Sequence, residues 1–303
     1  MAVLGLVPAI VIPLGVPFYV ALCTRIMIFA IAAISLDLIV GYGGMNSMGH
    51  AAFLGIGAYS VGIFSAYGID NGFIQFGIAM LASALIAAFI GIISLRTSGI
   101  HFIMITLAFG QMLYFLMVSI NSFGGDDGLT IAKSSIFFLL DLRSPVTLYY
   151  CCFAVLVLVL WIMNRLIGSR FGMALRGLKS NQARMVAIGL SPFRYKLAAF
   201  VLSGTICGIA GALLANEDLF ISPASMHWAR SAEILMIVIV GGAGSLLGAV
   251  LGAAAYVSLE YFLSGFTEHW QIILGLILLL VILFRQQGLY GLLLVRTRST
   301  RNA

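Results

Sequence analysis

Side chains able to do chemistry are sparse in this chain of 303 residues. Three acids fall in or near long apolar runs: Asp37, Glu233 and Glu260. An ionisable group at membrane depth is expensive and often functional. Asp37 is the deepest of the three and the best candidate to line a path or pair two helices. Glu233 and Glu260 fall near the ends of their runs, where water reaches them. If protons were carried, these three would be the carriers. His50, His101, His227 and His269 are far apart and lack ligand spacing, so a satisfied or interfacial histidine is expected at each. Cys23, Cys151, Cys152 and Cys207 show no metal-type spacing, and the adjacent pair reads as small lipid- or core-facing residues. Residues 127–134 faintly resemble a phosphate-binding loop, but Asp127 and Ala132 stand where that motif needs glycine. No acid, base and nucleophile converge. The expectation is no catalytic residue, no metal and no enzymatic activity.

The elements that must position these groups follow from composition. Hydrophobic residues make up 62%, charged residues 9%, and mean hydropathy is +1.14. Soluble domains are nearer half apolar and a quarter charged, so a chain with this few charges cannot cover a water-exposed surface. A span needs about 20 mostly apolar residues. Candidates are 3–22, 26–41, 48–67, 73–94, 99–120, 146–163, 197–215, 231–243, 245–263 and 270–284. The runs are continuously apolar rather than alternating, which selects helix over barrel strand. The fold expected is an all-α integral membrane protein, a polytopic bundle of roughly eight to ten transmembrane helices, some broken by Gly. No polar linker divides 1–303, so one transmembrane domain is expected, without a cleavable secretory signal.

The net charge of +6 lies in short loops between apolar runs, a pattern that orients a membrane protein rather than binding nucleic acid. Residues 164–196 contain Arg165, Arg170, Arg176, Lys179, Arg184, Arg194 and Lys196 and no acid. The tail 285–303 contains Arg285, Arg296, Arg298 and Arg301, again with no acid. Both are expected in the cytoplasm. Counting back places Arg96 and the N-terminus inside, with Asp70, Asp126, Asp127, Asp141, Glu217, Asp218 and Glu268 outside. Arg25, in the gap between the first two spans, falls near an outer end, where it would snorkel. The long outer loop 121–145 carries the turn-rich 124–128, then a short apolar stretch, 136–140, expected on the membrane surface or against other loops.

Two glycine-rich stretches stand out. The first, 40–50, includes Gly41, Gly43, Gly44, Asn46, Ser47 and His50, and leads into Gly55 and Gly57. Such density breaks or kinks a helix, and a break at membrane depth must be buried in protein or line a watery path. It reads either as a broken transport helix or as a tight cytoplasmic turn. Gly55 and Gly57 read as packing positions. The second stretch holds Gly241, Gly242, Gly244, Ser245, Gly248 and Gly252; the last two and Gly244 recur every four residues, a face for close helix crossing. Gly204 and Gly208 repeat that spacing.

The basic loop 164–196 is more structured than a lipid anchor requires. Residues 183–188 form a short helical segment ended by Gly189, and Ser191-Pro192 begins the next element. A short helix held under the membrane would offer a docking surface, with Arg176, Gly177, Lys179, Arg184, Ala187, Gly189, Arg194 and Lys196 as its candidate residues.

Along nearly its whole length the chain resembles permease subunits of branched-chain amino acid ABC importers, the LivH/LivM-type family, nearer the LivM type. The resemblance rests on 37–44 with 47–53, on 99–102 with 106–111, and on Gly124-Gly125 with 127–129. It continues through Gly189, 195–200, 208–213 and 241–248, in this order. It implies an all-helical, multi-pass permease of a bacterial or archaeal inner or plasma membrane, in contact with lipid. The partners implied are a second, LivH-like permease, two cytoplasmic ATPase subunits that hydrolyse ATP, and a periplasmic or lipid-anchored solute-binding protein. No cofactor would be bound directly. The loop from Arg176 to Gly189 would be the ATPase-docking element. The solute would be a branched-chain amino acid or a similar small polar molecule such as urea or an amide. The chain departs from the family at Gln182-Ala183-Arg184-Met185, where a Glu-Ala-Ala-like run is typical, and at Asp37, where Asn is usual. The alternative is an ion-coupled secondary transporter using Asp37 and the broken helices.

Overall fold

The computed structural model describes residues 17–131, 133–137, 140–267, 269–284, 288, 289 and 291. Helix dominates because apolar runs without water must satisfy their backbone groups internally. Eleven helices are present among the described residues: α1 (Pro17–Asp37), α2 (His50–Ala66), α3 (Gly72–Ser94), α4 (Ile100–Ser119), α5 (Pro145–Gly168), α6 (Arg170–Ser180), α7 (Gln182–Ala187), α8 (Pro192–Asp218), α9 (Trp228–Gly241), α10 (Leu246–Ser264) and α11 (Trp270–Phe284). Six segments are long and apolar enough to cross a membrane, and His50–Ala66 and Trp270–Leu280 are shorter apolar helices.

The N-terminal part corrects one expectation. The break foreseen between 3–22 and 26–41 is absent: α1 runs through Arg25 and continues as a π-helical turn, Leu38–Tyr42. A single arginine is a good helix former and does not end a helix, and Thr24 Oγ1 donates to Val20 O (2.8 Å) inside the uninterrupted turn. Arg25 instead pairs with Asp218 (3.3 Å) and lies over the Phe29 ring, 5.9 Å from its centroid. Residues 3–16 of the first expected span, the N-terminus, Ala132, Phe138, Leu139, Glu268, Arg285 and the tail arginines 296, 298 and 301 lie outside the described residues.

The core centres on α2. Fourteen of its 17 residues are buried, so neighbouring helices rather than lipid enclose it and its shortness carries no penalty. α2 crosses α8 backbone to backbone: a Cβ on Gly57 would overlap the carbonyl of Gly208, and one on Gly211 would overlap that of Leu54. Small residues permit such approaches, which van der Waals contact then stabilises. α8 also seats on α3, with Gly204 against Ala87 and Gly208 against Ser83. Gly241, Gly248 and Gly252 make the same kind of crossing between α9 and α10, where a Cβ on Gly252 would stand 2.9 Å from Gly241 Cα. Gly55 faces the side chain of Met226.

At one end the loop 121–145 folds over the bundle. Strand β1 (Leu129–Thr130) pairs antiparallel with β4 (Phe220–Ile221), Leu129 opposite Ile221; β2 (Ile136–Phe137) and β3 (Leu140–Asp141) form a second antiparallel pair. Ser135 N donates to Asn216 Oδ1 (2.8 Å), its hydroxyl bonds Gln75, and Lys133 pairs with Asp70 (3.2 Å). Phe137 packs against Phe73 and Phe76. Asp70, Asp141 and Asp218 gather at this end. The basic loop, α6 and α7, which contains no acid, lies at the opposite one.

Candidate functional site

Both glycine-rich breaks meet at the basic end. The π-helical turn ends α1 by widening its hydrogen-bond ladder: Gly43 N reaches Leu38 O (3.1 Å) and Met45 N reaches Ile39 O (2.8 Å). Gly44 turns the chain at φ +67°, and 43–49 run without helix into α2. Backbone groups freed by a break need partners. Met48 N donates to Thr106 Oγ1 of α4 (3.3 Å), Gly49 N to Ser47 Oγ (3.4 Å), and Ala51 N to Ser231 Oγ of α9 (2.9 Å). Gly49 packs directly on the carbonyl of Thr106.

The second break, 242–245, turns on Gly242 (φ +107°) and Gly244 (φ +89°), with Ser245 Oγ donating to Gly242 O (2.9 Å). It touches the first break twice. The fully buried Asp37 accepts from Gly244 N at Oδ1 (2.7 Å), and a Cβ on Gly41 would overlap both that oxygen and Gly244 N. Asp37 Oδ2 has no hydrogen-bond partner among the described residues. One carboxylate oxygen therefore ties two discontinuous helices together.

The basic loop reaches this junction. Lys179, at the end of α6, donates from Nζ to Gly41 O (2.5 Å), and its Cγ lies 2.9 Å from where a Cβ on Gly44 would stand. α6 is held against the bundle through Gly172, Ala174, Leu175 and Leu178, which are buried. Arg176 spans back to Ile167 O (3.2 Å). α7 folds onto α6 where Met185 covers Gly177. Asn181 caps α7 by accepting from Arg184 N (3.0 Å), and Gly189 ends it at φ +86°. Lys196 Nζ donates to Gln182 Oε1 (2.8 Å), bracing α7 to α8. The outward face of α7 is exposed through Arg184, Val186, Ala187 and Ile188, with Arg194 exposed beside it; Ile188 is 68% exposed.

The remaining path candidates divide. Gly44 and Asn46 are exposed and, with Thr97, Ser98, Gly99 and Lys196, line a cavity of about 260 Å³ at the basic end. Gly41, Gly43, Ser47, His50 and Gly241 are buried in the protein. His50 Nε2 lies 3.0 Å from Ser35 Oγ and 3.3 Å from Ser203 Oγ, and Ser203 bonds Ser35 O. Its Nδ1 has no partner among the described residues. Ser35, Thr106, Ser203 and Ser231 supply hydrogen bonds to the first break and to His50, and sequence reasoning did not single them out as candidates. Their signal was small polar side chains inside apolar runs, which become informative only once the break that needs their hydrogen bonds is located. Glu233 pairs with Arg230 (2.6 Å). Among the described residues no group of three or more His, Cys, Asp or Glu side chains is placed to hold a metal.

A polytopic helical bundle with two touching helix breaks and a folded basic loop bonded to one of them is the architecture expected of a membrane permease. The chain belongs to the family described as branched-chain amino acid transport system / permease component, which matches residues 18–282. It is 30% identical, over 94% of its length and 74% of theirs, to the high-affinity branched-chain amino acid transport system permease protein LivM of Salmonella typhimurium and of Escherichia coli. It is 26% identical, over 48% of each chain, to a probable branched-chain amino acid transport permease protein LivH of Methanocaldococcus jannaschii. No solved structure matches.

Proposed function

We propose that this chain is one of two permease subunits of an ATP-driven importer of branched-chain amino acids in the inner or plasma membrane. A second, similar permease completes the path, a periplasmic or lipid-tethered binding protein delivers the solute, and two cytoplasmic ATPase subunits supply the energy. The chain itself performs no covalent chemistry. Residues 164–196 face the cytoplasm as the grip for the ATPase, 121–145 face the opposite side, and 285–303 return to the cytoplasm.

The observation that carries the reading is the bond from Lys179 Nζ to Gly41 O. It joins the exposed surface of α6 and α7 to the helix break, and Asp37 passes the connection to the second break at Gly244. Closing of the ATPase pair would displace α6 and α7, and this chain of contacts would bias the two breaks between outward- and inward-open arrangements. Proteoliposomes holding both permeases and both ATPases, supplied with binding protein and ATP, should accumulate leucine. Undiminished uptake without ATPase subunits refutes the model. A cysteine at Ser180, modified from outside intact cells, would invert the orientation and sink the docking assignment.

A further inference from the structure

Sidedness puts the other end of the bundle first in the solute's path, and a mixed-charge cavity lies there. Arg25 of α1, Glu217 of α8 and Glu260 of α10 line one hollow of about 300 Å³, whose walls include Leu22, Val257 and Tyr261. All three charges sit on helices long and apolar enough to cross a membrane. Exposing them to hydrocarbon is costly, so this hollow must meet water, a polar partner or a polar solute. Glu217 Oε2 is buried and has no hydrogen-bond partner among the described residues. Arg25 engages Asp218 through one terminal nitrogen (3.3 Å), and a guanidinium carries five N–H donors in all, a fork suited to a carboxylate.

We propose that this hollow is a way-station for an aliphatic amino acid: its carboxylate meets Arg25, its ammonium lies between Glu217 and Glu260, and its side chain rests on Leu22 and Val257. The chemistry matches a zwitterion better than either single ion. A bare anion would meet two carboxylates, a sugar would leave the charges uncompensated, and a small bare cation would leave the apolar wall of Leu22 and Val257 and the guanidinium donors of Arg25 not used by Asp218 without a partner. Apolar walls with a few placed polar groups are the usual make-up of a small-molecule site. The inference rests on the importer reading, since it takes the solute to be an amino acid arriving at this end.

The test uses a leucine analogue bearing a diazirine on its side chain, added without nucleotide to the assembled transporter in detergent. Irradiation and peptide mapping should place the label on α1 near Leu22 and on α10 near Val257. Excess leucine should suppress it. Isocaproate, which lacks the ammonium, and isopentylamine, which lacks the carboxylate, should compete at least about tenfold more weakly, the loss of one charge-assisted hydrogen bond. Glu260→Gln, an isosteric change, should reduce labelling to a similar extent while the complex remains monodisperse. Label confined to other segments, or equal competition by either half-molecule, overturns the site. ATP-driven leucine uptake by the same wild-type preparation is read in parallel. Uptake without labelling here removes the site alone, whereas no uptake removes the importer reading and the site with it.

Discussion

Lys179→Met isolates the link between the docking loop and the broken helix. Methionine keeps an unbranched chain over Gly44 and deletes only the ammonium that donates to Gly41 O at 2.5 Å. A hydrogen bond with a charged donor contributes about 1.5–3 kcal/mol. The head of Lys179 is partly open to water, so the low end, about 1.5 kcal/mol, is the appropriate figure. That corresponds to a factor of about ten in an equilibrium. If this bond carries the displacement of α6 to the break, the ATPase subunits should still bind and turn over, yet leucine moved per ATP should fall about tenfold. The assay measures phosphate release and labelled leucine uptake in the same proteoliposomes. A melting midpoint within a few degrees of wild type shows that the fold persists. An unchanged ratio of uptake to hydrolysis refutes the mechanical role of this contact.

Asp37→Asn keeps an oxygen for Gly244 N and removes the cost of a buried charge; uptake should remain within about twofold of wild type and thermal stability should hold or rise. Loss of uptake in that variant would favour ion coupling through Asp37. Asp37→Ala, by contrast, strands Gly244 N and should lower stability by about 1–3 kcal/mol, read by thermal unfolding in detergent. Gly211→Ala places a methyl on the Leu54 carbonyl at the α2–α8 crossing and should destabilise by about 1–3 kcal/mol; an unshifted midpoint would show that the crossing relaxes freely. Ile188→Asp, on the exposed face of α7, should weaken capture of the ATPase subunits by about tenfold or more without changing the melting profile of the permease, as measured by co-purification; wild-type capture would exclude that face from the contact.

Much of the architecture was legible in the residues alone. Composition required a membrane solvent, continuous apolar runs required helices, and Gly189 with Ser191-Pro192 marked the end of α7 and the start of α8, because these are local backbone properties. Arg25 shows where that legibility ends. As a charge between two apolar runs it reads as a loop, and only its distant partners, Asp218 and the Phe29 ring, reveal a continuous helix. The junction of the breaks is of the same kind. Asp37 is conspicuous in sequence, but its bond to Gly244 spans 207 residues, and Lys179 to Gly41 spans 138. The family likeness of the motifs was visible in one dimension. Which glycines face a cavity and which are buried against a carbonyl was not, because that depends on how α2, α8 and α10 cross. Local spacing encodes hydrophobicity and turns; tertiary packing alone chooses the partners of a buried polar atom.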